Sequence, residues 1–233
     1  MNAPPNFNRL ARLYRWMEFC TFGPWLSITR SAFMPELAAC RRALVLGDGD
    51  GRFTTRLLRA NPAIHIHAVD VSSAMLQTLL QRAGSAASRV RVQLDDVRLW
   101  QPPAPVVSPP YDLVATHFFL DCLTTAEVQS LVLRLRPSIS ANGFWLVSEF
   151  AVPPGRFGRL VARPVVATLY FAFRVLTGLK VRTLPDHRST LHHAGFTLVR
   201  RRTRLAGLLT SELWSAPLPQ PATSPTQAPS YSP

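Results

Sequence analysis

Three closely spaced glycines and one aspartate are the residues best suited to chemistry in this sequence. Gly47, Gly49 and Gly51 stand at every second position, and Asp70 follows further along the chain. Glycine adopts positive φ without strain and lets a backbone approach a ligand closely. An aspartate carboxylate at the edge of a sheet accepts hydrogen bonds from ribose hydroxyls. These residue types therefore predict a crevice that binds a nucleoside.

The segments around these residues have the pattern of a β-α-β unit. Residues 43–46 are apolar and predict a short buried strand, residues 52–60 predict a helix, and residues 64–69 predict a second strand. In parallel sheets, ligands bind beyond the carboxyl ends of the strands. The glycine turn after the first strand and Asp70 after the second are therefore expected to face the same crevice.

The spacing of the glycines separates two kinds of ligand. A dinucleotide site has the pattern Gly-x-Gly-x-x-Gly, with the pyrophosphate at the helix N-terminus. Here the pattern is Gly-x-Gly-x-Gly, and Asp48 and Asp50 between the glycines would repel a pyrophosphate. A nucleoside joined to a zwitterionic amino acid with a sulfonium centre tolerates them better, which favours S-adenosylmethionine. The alternative is a glycine turn that binds no nucleotide.

With these motifs the sequence resembles the class I S-adenosylmethionine-dependent methyltransferases over about residues 7–214, most closely over 43–150. The resemblance implies that the glycine loop holds the methionine part of the cofactor and that Asp70 holds the ribose. The predicted cofactor-binding residues are Gly47, Asp48, Gly49, Gly51, Asp70, Val71, Asp95, Asp96 and His117. Val45 departs from the family, which has an acid two positions before the first glycine. Asp48 and Asp50 are the candidates to take over part of that acid's role.

Two acids follow the third predicted strand, residues 89–94. By the resemblance, an acid at this place contacts the amino group of adenine, and Asp96 is favoured over Asp95. The alternative for either acid is to cap a turn.

His117 follows the fourth predicted strand, residues 111–116, where a doubly wound sheet lines its crevice. We predict His117 as the catalytic residue, because an imidazole with a near-neutral pKa can take a proton from a hydroxyl or an activated carbon. The alternative is a polar residue that hydrogen-bonds to backbone at a strand end. Asp121 is a second candidate, with helix capping as its alternative.

Composition sets limits on the possible partners. The chain has 233 residues, of which 47% are hydrophobic, and this suits one α/β domain. The net charge of +13 comes almost wholly from arginine, since Lys180 is the only lysine, and it favours anionic lipid or nucleic acid as a partner. The three cysteines have neither metal-ligand nor disulfide spacing, so we predict no metal site. They favour a reducing cytosol, and the N-terminus lacks the blocks of a signal peptide. We therefore expect a cytoplasmic protein.

We expect three parts along the chain. Residues 1–40 are predicted to form a helical cap, with a helix over 7–22 and a second over 25–39 that Pro35 kinks or divides. Tyr14 and Trp16 in this cap are expected to touch ligand, by the resemblance, or to pack against the sheet. Residues 41–215 are the predicted methyltransferase domain, and 216–233 are a proline-rich tail expected to be disordered.

A lid is predicted within the domain, over about residues 153–183. Its helix, 157–179, is rich in apolar and aromatic residues, carries several arginines, and contains Pro164, which we expect to divide it. Such a segment suits contact with an anionic surface, here the inner membrane surface. The alternative is a cap helix that packs on the core with its arginines in water. Both versions give an apolar lid.

The predicted fold is a doubly wound, Rossmann-like α/β sheet of seven strands, with N-terminal helices, an inserted cap helix and a final antiparallel hairpin. The predicted reaction is methyl transfer from S-adenosylmethionine to a small, lipophilic or aromatic acceptor. Within the superfamily the chain most resembles the ubiquinone/menaquinone-biosynthesis group. The oligomeric state is not predicted.

Two alternatives stay open. A nucleic-acid (RNA) methyltransferase would explain the charge, but the chain has no appended RNA-binding module. Its Ser-Pro-Pro-Tyr sequence, residues 108–111, comes before the fourth strand instead of after it. A non-catalytic binding protein that retains the fold is favoured by Val45.

Overall fold

One mixed sheet runs through the part of the chain that the computed structural model describes, which is residues 22, 24–104, 108–169 and 184–217. Within these residues the sheet has seven strands, as predicted. The strands are β1 Arg42–Leu46, β2 His65–Asp70, β3 Val90–Leu94, β4 Tyr111–His117, β5 Ile139–Phe150, β6 Thr197–Arg204 and β7 Leu209–Ser215.

The strand order is β3-β2-β1-β4-β5-β7-β6. Strands β1 to β5 are parallel, and β7 lies antiparallel between β5 and β6. The chain reverses its direction of winding between β1 and β4, and such a switch point opens a crevice at the carboxyl ends of the two strands. The predicted doubly wound sheet with a final antiparallel hairpin is confirmed.

Helices cover both faces of the sheet and its carboxyl end. The α-helices are α1 Pro24–Arg30, α2 Arg52–Ala60, α3 Ser73–Ala83, α4 Thr125–Leu135, α5 over residues 156–169, and α6 His187–His193. Short 3-10 turns lie at Met34–Leu37, Gly84–Arg89, Leu120–Cys122, Arg136–Ser138 and Leu205–Gly207. Between β3 and β4, residues 95–104 and 108–110 contain no helix, in keeping with their prolines.

Side-chain caps fix where two of these helices begin. The Ser72 hydroxyl accepts a hydrogen bond from the backbone N–H of Met75 at 3.3 Å, at the start of α3. At the start of α4, the Thr124 hydroxyl accepts from the N–H of Glu127 at 3.2 Å. The Glu127 carboxylate in turn accepts from the N–H of Thr124 at 2.8 Å. These bonds satisfy N–H groups that a helix start leaves without partners.

Three predicted boundaries were wrong. The sequence predicts a last strand over 205–214, but the strand begins at Leu209, because Leu205 and Ala206 have φ of 49° and 52°, outside the range of a strand. The Ala-Asn-Gly sequence at 141–143 predicts a turn before the fifth strand, but it lies inside β5 as an irregular stretch, with Asn142 at φ 60°. The helix predicted over 25–39 is interrupted after Arg30 and resumes as the 3-10 turn Met34–Leu37, with a proline at its start.

Pro164 does not divide the lid helix, contrary to the prediction. A π-helical turn, Gly158–Ala162, comes just before it, and the N–H of Arg163 bonds to the carbonyl of Gly158. A proline cannot donate this kind of bond and crowds the carbonyl four residues earlier, so the wider π turn relieves the conflict. A side chain on Gly158 would overlap the carbonyl oxygen of Pro153. This close approach fixes α5 to the segment that follows β5.

The core has a layer on each face of the sheet and a third cluster at its carboxyl end. One layer packs against α4 and α6, and the other against α2 and the Met34–Leu37 turn. The third cluster joins α1, α5, β7 and the ends of β4 and β5, through buried side chains that include Leu26, Phe118, Phe150 and Val166. This last group, the end cluster, forms an apolar cover over the carboxyl ends of the central strands.

Several predictions lie outside the described residues. They are most of the helix over 7–22, the ligand contacts of Tyr14 and Trp16, residues 170–183 of the lid, and the tail from residue 218 onward. Among the helices that are described, none is long and apolar enough to cross a membrane.

Candidate active site

The glycine loop connects β1 to α2 at the switch point of the sheet. Gly47, Gly49 and Gly51 all have positive φ, at 64°, 60° and 77°. A side chain on Gly47 would overlap the ring of Phe119, so this glycine is also required by close packing. The nearest atom to a side chain on Gly49 would be the Met75 sulfur, 3.9 Å away. The middle of the loop therefore has free space beside its backbone among the described residues.

The two acids of the loop have different tasks. The Asp48 carboxylate accepts hydrogen bonds from the backbone N–H of Phe53 at 3.3 Å and of Thr54 at 2.8 Å, and it caps α2. Burial raises the pKa of Asp48 to about 6, against the opposing effect of these bonds. The Asp50 carboxylate instead pairs with Arg52 at 3.2 Å and with Arg82 of α3 at 2.9 Å. Of the two acids, Asp48 is the one held by the loop and the helix start.

Val45 is part of the core. Its side chain is 1% exposed and packs in the layer that faces α2. A carboxylate at this depth would need hydrogen-bond partners. Asp48 holds the start of α2 by accepting two of its N–H groups, from within the glycine loop.

Asp70 lies at the end of β2 beside the glycine loop. Its carboxylate accepts from the N–H of Ser72 at 2.9 Å and from the backbone of Gly49 and Val71. Burial raises its pKa above the ordinary value. The structure thus brings Asp70 and the middle glycine, Gly49, together at the carboxyl end of the parallel strands.

The two acids after β3 are held differently. Both oxygens of Asp96 accept from the Arg98 guanidinium, with Nε 3.0 Å from each, and the backbone N–H of Arg98 adds a third bond. The hydrogen bond from the Arg98 side chain lowers the pKa of Asp96. Asp95 accepts from the N–H of Asp96 at 2.8 Å, and its own N–H donates to the carbonyl of Asp70 at 3.1 Å. Asp96 therefore caps its turn, whereas Asp95 lies next to Asp70.

His117 ends β4 on the side of the sheet that faces α2. Its ring lies 4.2 Å from the Phe53 ring, between centroids, and the residue is 3% exposed. In the part of the chain that the structure describes, neither ring nitrogen has a hydrogen-bond partner. Burial, and then the positive charge of Arg30, lower its pKa well below the ordinary value. His117 is therefore a neutral imidazole at pH 7, and it is a weaker base than the sequence alone predicts.

A strained turn follows β4. Phe118 has φ 52°, an uncommon value for a residue with a bulky side chain, and its N–H donates to the carbonyl of Ser148 at 2.7 Å. Its ring packs 5.1 Å from the Phe150 ring and 5.1 Å from the Arg30 guanidinium. Such strain is concentrated at functional sites, where the surrounding structure maintains it. No residue type in the sequence indicates this conformation.

A pair of carboxyl groups lies beside this turn. Glu149 is 2% exposed, and its Oε1 accepts from the N–H of Phe119 at 3.1 Å and of Leu120 at 2.8 Å. Asp121 is half-buried, and its Oδ1 lies 3.5 Å from the sulfur of Cys122. Burial raises the pKa of both acids, Asp121 to about 6 and Glu149 well above its ordinary value, and the charge of Asp121 raises Glu149 further. Sequence reasoning missed Glu149, although a carboxylate at the end of an apolar strand was a usable indication.

The comparison with protein families agrees with this geometry. Residues 44–145 match the family described as "Methyltransferase domain". This span includes the glycine loop, Asp70 and the turn after β4. Over these residues the chain is similar to that family.

The chain also has a relative among characterised proteins. The chain is 28% identical over 162 residues to the malonyl-[acyl-carrier protein] O-methyltransferase of Paenibacillus sp. (strain JDR-2). The match covers 68% of this chain and spans 56% of the length of that relative.

Solved structures share the fold of this chain. An O-methyltransferase family protein from Burkholderia thailandensis matches with a TM-score of 0.69 and 14% identity, over 92% of this chain and 62% of that one. The N-methyltransferase NodS of Bradyrhizobium japonicum WM9, solved with S-adenosyl-L-homocysteine, matches with a TM-score of 0.59 and 14% identity, over 82% of this chain and 88% of that one. The predicted class I methyltransferase fold is confirmed.

Proposed function

We propose that this chain is an S-adenosylmethionine-dependent methyltransferase that acts on a small, lipophilic or aromatic acceptor. The observation that carries the proposal is the contact between the Asp70 carboxylate and the backbone of Gly49, inside a methyltransferase domain. It supports a single crevice in which a glycine loop and a ribose-binding acid act together.

The described residues fit this cofactor. A side chain on Gly49 would meet only the Met75 sulfur, at 3.9 Å, among the described residues, so the loop has room for a close backbone approach. Gly47, Asp48, Gly49 and Gly51 would hold the methionine part, Asp70 the ribose, and Val71 with Asp95 the adenine. When bound, S-adenosylmethionine supplies an electrophilic methyl group on a sulfonium. The chain's own contribution is to bind and orient both reactants and to exclude water.

The acceptor class is inferred from the end cluster. Apolar and aromatic side chains of α1 and α5 pack with Phe118 and Phe150 over the carboxyl ends of β4 and β5. An acceptor that enters beside these side chains would meet an apolar wall, which suits an aromatic or lipophilic molecule. This supports the proposed place of the chain near the ubiquinone/menaquinone-biosynthesis group. The Paenibacillus relative, by its name, acts on a malonyl group carried by a protein, which is a different acceptor.

The first test is calorimetric titration of the full chain with S-adenosyl-L-homocysteine, with NADH as the control. We expect binding of the first compound alone. Binding of neither compound would overturn the proposal and favour a non-catalytic binding protein, for which the buried Val45 is the supporting observation. Binding of NADH alone would favour a dinucleotide enzyme.

We also propose that α5 touches an anionic membrane surface. Residues 156–169 contain no acid. The exposed side chains of α5 are both apolar and basic, and they include Arg156, Phe157, Arg159, Leu160, Val161 and Arg163. Such a helix binds by apolar burial together with attraction to anionic lipid. We expect the chain to sediment with vesicles of phosphatidylglycerol but not of phosphatidylcholine, and Leu160→Ser to weaken this binding. Equal sedimentation with both vesicles would contradict the charge argument.

The nucleic-acid alternative receives less support from the structure than from the net charge. Many arginines of the described residues are paired with acids. Arg188 and Arg201 pair with Glu212, and Arg200 pairs with Glu36. Salt-dependent binding of RNA by the purified chain would restore this alternative.

A further inference from the structure

Two carboxyl groups at the carboxyl ends of neighbouring strands have no task in the proposed cofactor site. We propose that Asp121 takes the proton from the methyl acceptor, that Glu149 positions it, and that the acceptor therefore reacts through a neutral hydroxyl or amine and not through a carboxylate. This inference rests on the proposed function and names the acceptor chemistry of the same site.

The position of Glu149 explains how the turn after β4 is held. Its Oε1 accepts from the N–H groups of Phe119 and Leu120, and the N–H of Asp121 adds to these. The other oxygen, Oε2, is buried and has no hydrogen-bond partner among the described residues. A buried carboxyl oxygen without a hydrogen-bond partner lowers the stability of the fold. Native proteins keep such a group where it has a function. Glu149 is thus a positioning residue that fixes the backbone on which Asp121 stands.

Asp121 is placed where an acceptor can reach it. It lies in the 3-10 turn Leu120–Cys122, directly after Phe119, whose ring covers Gly47 of the glycine loop. Unlike Glu149, it is only half-buried. His117 is less suited to this task, because its ring packs on Phe53 at the other side of β4 and its neutral form is a weak base.

The charges around the pair determine which acid ionises first. Burial raises the pKa of Asp121 to about 6. Burial, and then the charge of Asp121, raise the pKa of Glu149 well above its ordinary value, so Glu149 stays protonated at a pH where Asp121 is ionised. Among the described residues, the Cys122 thiol interacts electrostatically with both acids of the pair and with Asp70. Burial, and then the charge of Asp121, raise the pKa of the Cys122 thiol well above its ordinary value, so it is neutral at pH 7. Above about pH 6 the pair therefore has one carboxylate, on Asp121.

The proton balance of the step is simple. The acceptor oxygen or nitrogen forms a bond to the methyl carbon, and the bond from that carbon to sulfur breaks, with the electron pair left on sulfur. The acceptor proton passes to the Asp121 carboxylate and later to water. A carboxylate acceptor has no proton to give, and it would be repelled by the negative charge of Asp121.

The test compares two cofactor forms that differ in charge at the reacting centre. S-Adenosylmethionine carries a positive sulfonium, whereas S-adenosyl-L-homocysteine does not, so an ionised Asp121 near the methyl group favours the first. We would measure both dissociation constants by calorimetry between pH 5 and 8. In the wild type, the preference for S-adenosylmethionine should rise by about three- to tenfold as the pH passes about 6.

Two variants make this test specific to the pair. Asp121→Asn should reduce the rise, because the amide stays neutral. Any rise that remains belongs to Asp48 of the glycine loop, whose pKa burial also raises to about 6. Glu149→Gln is the matched control, since its amide oxygen still accepts the three N–H groups and mimics the protonated acid, so the rise should remain near pH 6. A flat preference in the wild type, or an unchanged rise in Asp121→Asn, would overturn the inference. Absence of binding by both cofactor forms in the wild type would overturn the proposed function instead.

An activity measurement adds a second readout. We would follow methyl transfer from labelled S-adenosylmethionine to a panel of neutral phenols and to the matching aromatic carboxylates. Asp121→Asn should slow transfer to phenols by about a hundredfold, the usual contribution of a positioned base. Faster transfer to the carboxylates than to the phenols would contradict the inference.

Discussion

Two turns face each other across the switch point of the sheet, and they are built in opposite ways. The glycine loop after β1 gets its shape from residue type, since each of its three glycines has positive φ. The turn after β4 gets a positive φ at Phe118 without any glycine, and it is held by a buried acid, Glu149, from the next strand. The local sequence determines the shape of the glycine loop, whereas tertiary contacts determine the shape of the turn after β4. The comparison indicates that the proposed cofactor site is specified by short motifs and the proposed acceptor site by packing.

The two turns are also in contact. The ring of Phe119 lies on Gly47, where any side chain would overlap it. The conformation of the acceptor side therefore limits the residue type on the cofactor side. Changes in either turn should test whether they act as separate parts or as one.

The largest effect is expected at Asp70, beside the glycine loop. Asp70→Ala should weaken binding of S-adenosyl-L-homocysteine by about a hundredfold or more, because hydrogen bonds from two hydroxyls to one charged group contribute about 3 kcal/mol together. Calorimetric titration measures this directly, and circular dichroism checks that the variant is folded. Asp50→Asn is the matched control, since its acid pairs with Arg52 and Arg82. Wild-type affinity in a folded Asp70→Ala protein would show that the acid has no part in binding.

The next effect lies at the contact between the turns. Gly47→Ala introduces a side chain that overlaps the Phe119 ring, at a residue with φ 64°. We expect a loss of about 2–4 kcal/mol in the free energy of unfolding, from strain and displaced packing together. Urea unfolding measures this loss. Gly84→Ala is the control, because its φ is 56° but a side chain there meets no atom within 4 Å. Equal losses in the two variants would mean that φ alone matters and that the turns are independent.

A smaller effect is expected on the tertiary side. Glu149→Ala removes the acceptor of the Phe119 and Leu120 N–H groups and should lower the free energy of unfolding by about 1–3 kcal/mol, because buried donors are left without partners. Glu149→Gln keeps the acceptor oxygen and should change it by less than about 1 kcal/mol. Urea unfolding at pH 7 compares the two variants. If the glutamine variant loses as much as the alanine variant, the negative charge of Glu149 holds the turn, and the acid is not protonated in the native state.

The same contrast explains how far the sequence could be interpreted. Strands β1, β2 and β4 were predictable because each is a short apolar run followed by a residue that ends it. Gly47, Gly49 and Asp70 were predictable because their residue types have few other uses at that spacing. The start of β7 was not predictable, because nothing in the residue types of Leu205 and Ala206 indicates their positive φ.

The acceptor side was harder to predict for a physical reason. The protonation of Asp121 and Glu149 depends on burial by other segments, and the neutral state of His117 depends on Phe53 and Arg30, which are distant in sequence. A single sequence contains the residue types but not these distances. His117 was therefore predicted as the base from its ordinary pKa, and its surroundings in the fold lower that pKa.

The smallest effect is expected for the two acids after β3, Asp95 and Asp96, which are the candidates to contact adenine. The sequence favoured Asp96 as the adenine contact, but in the fold Asp96 is bonded to Arg98 on both oxygens, whereas Asp95 lies beside Asp70. We therefore expect Asp95→Asn to weaken binding of S-adenosyl-L-homocysteine by about five- to tenfold, the size of one hydrogen bond. Asp96→Asn should change the affinity for S-adenosyl-L-homocysteine by less than about twofold, because both Asp96 oxygens already bond to Arg98 and these partly exposed bonds contribute little. The same titration measures both variants. A larger loss in Asp96→Asn would mean that Arg98 releases this acid when the cofactor binds, and that the turn after β3 is rearranged by its ligand.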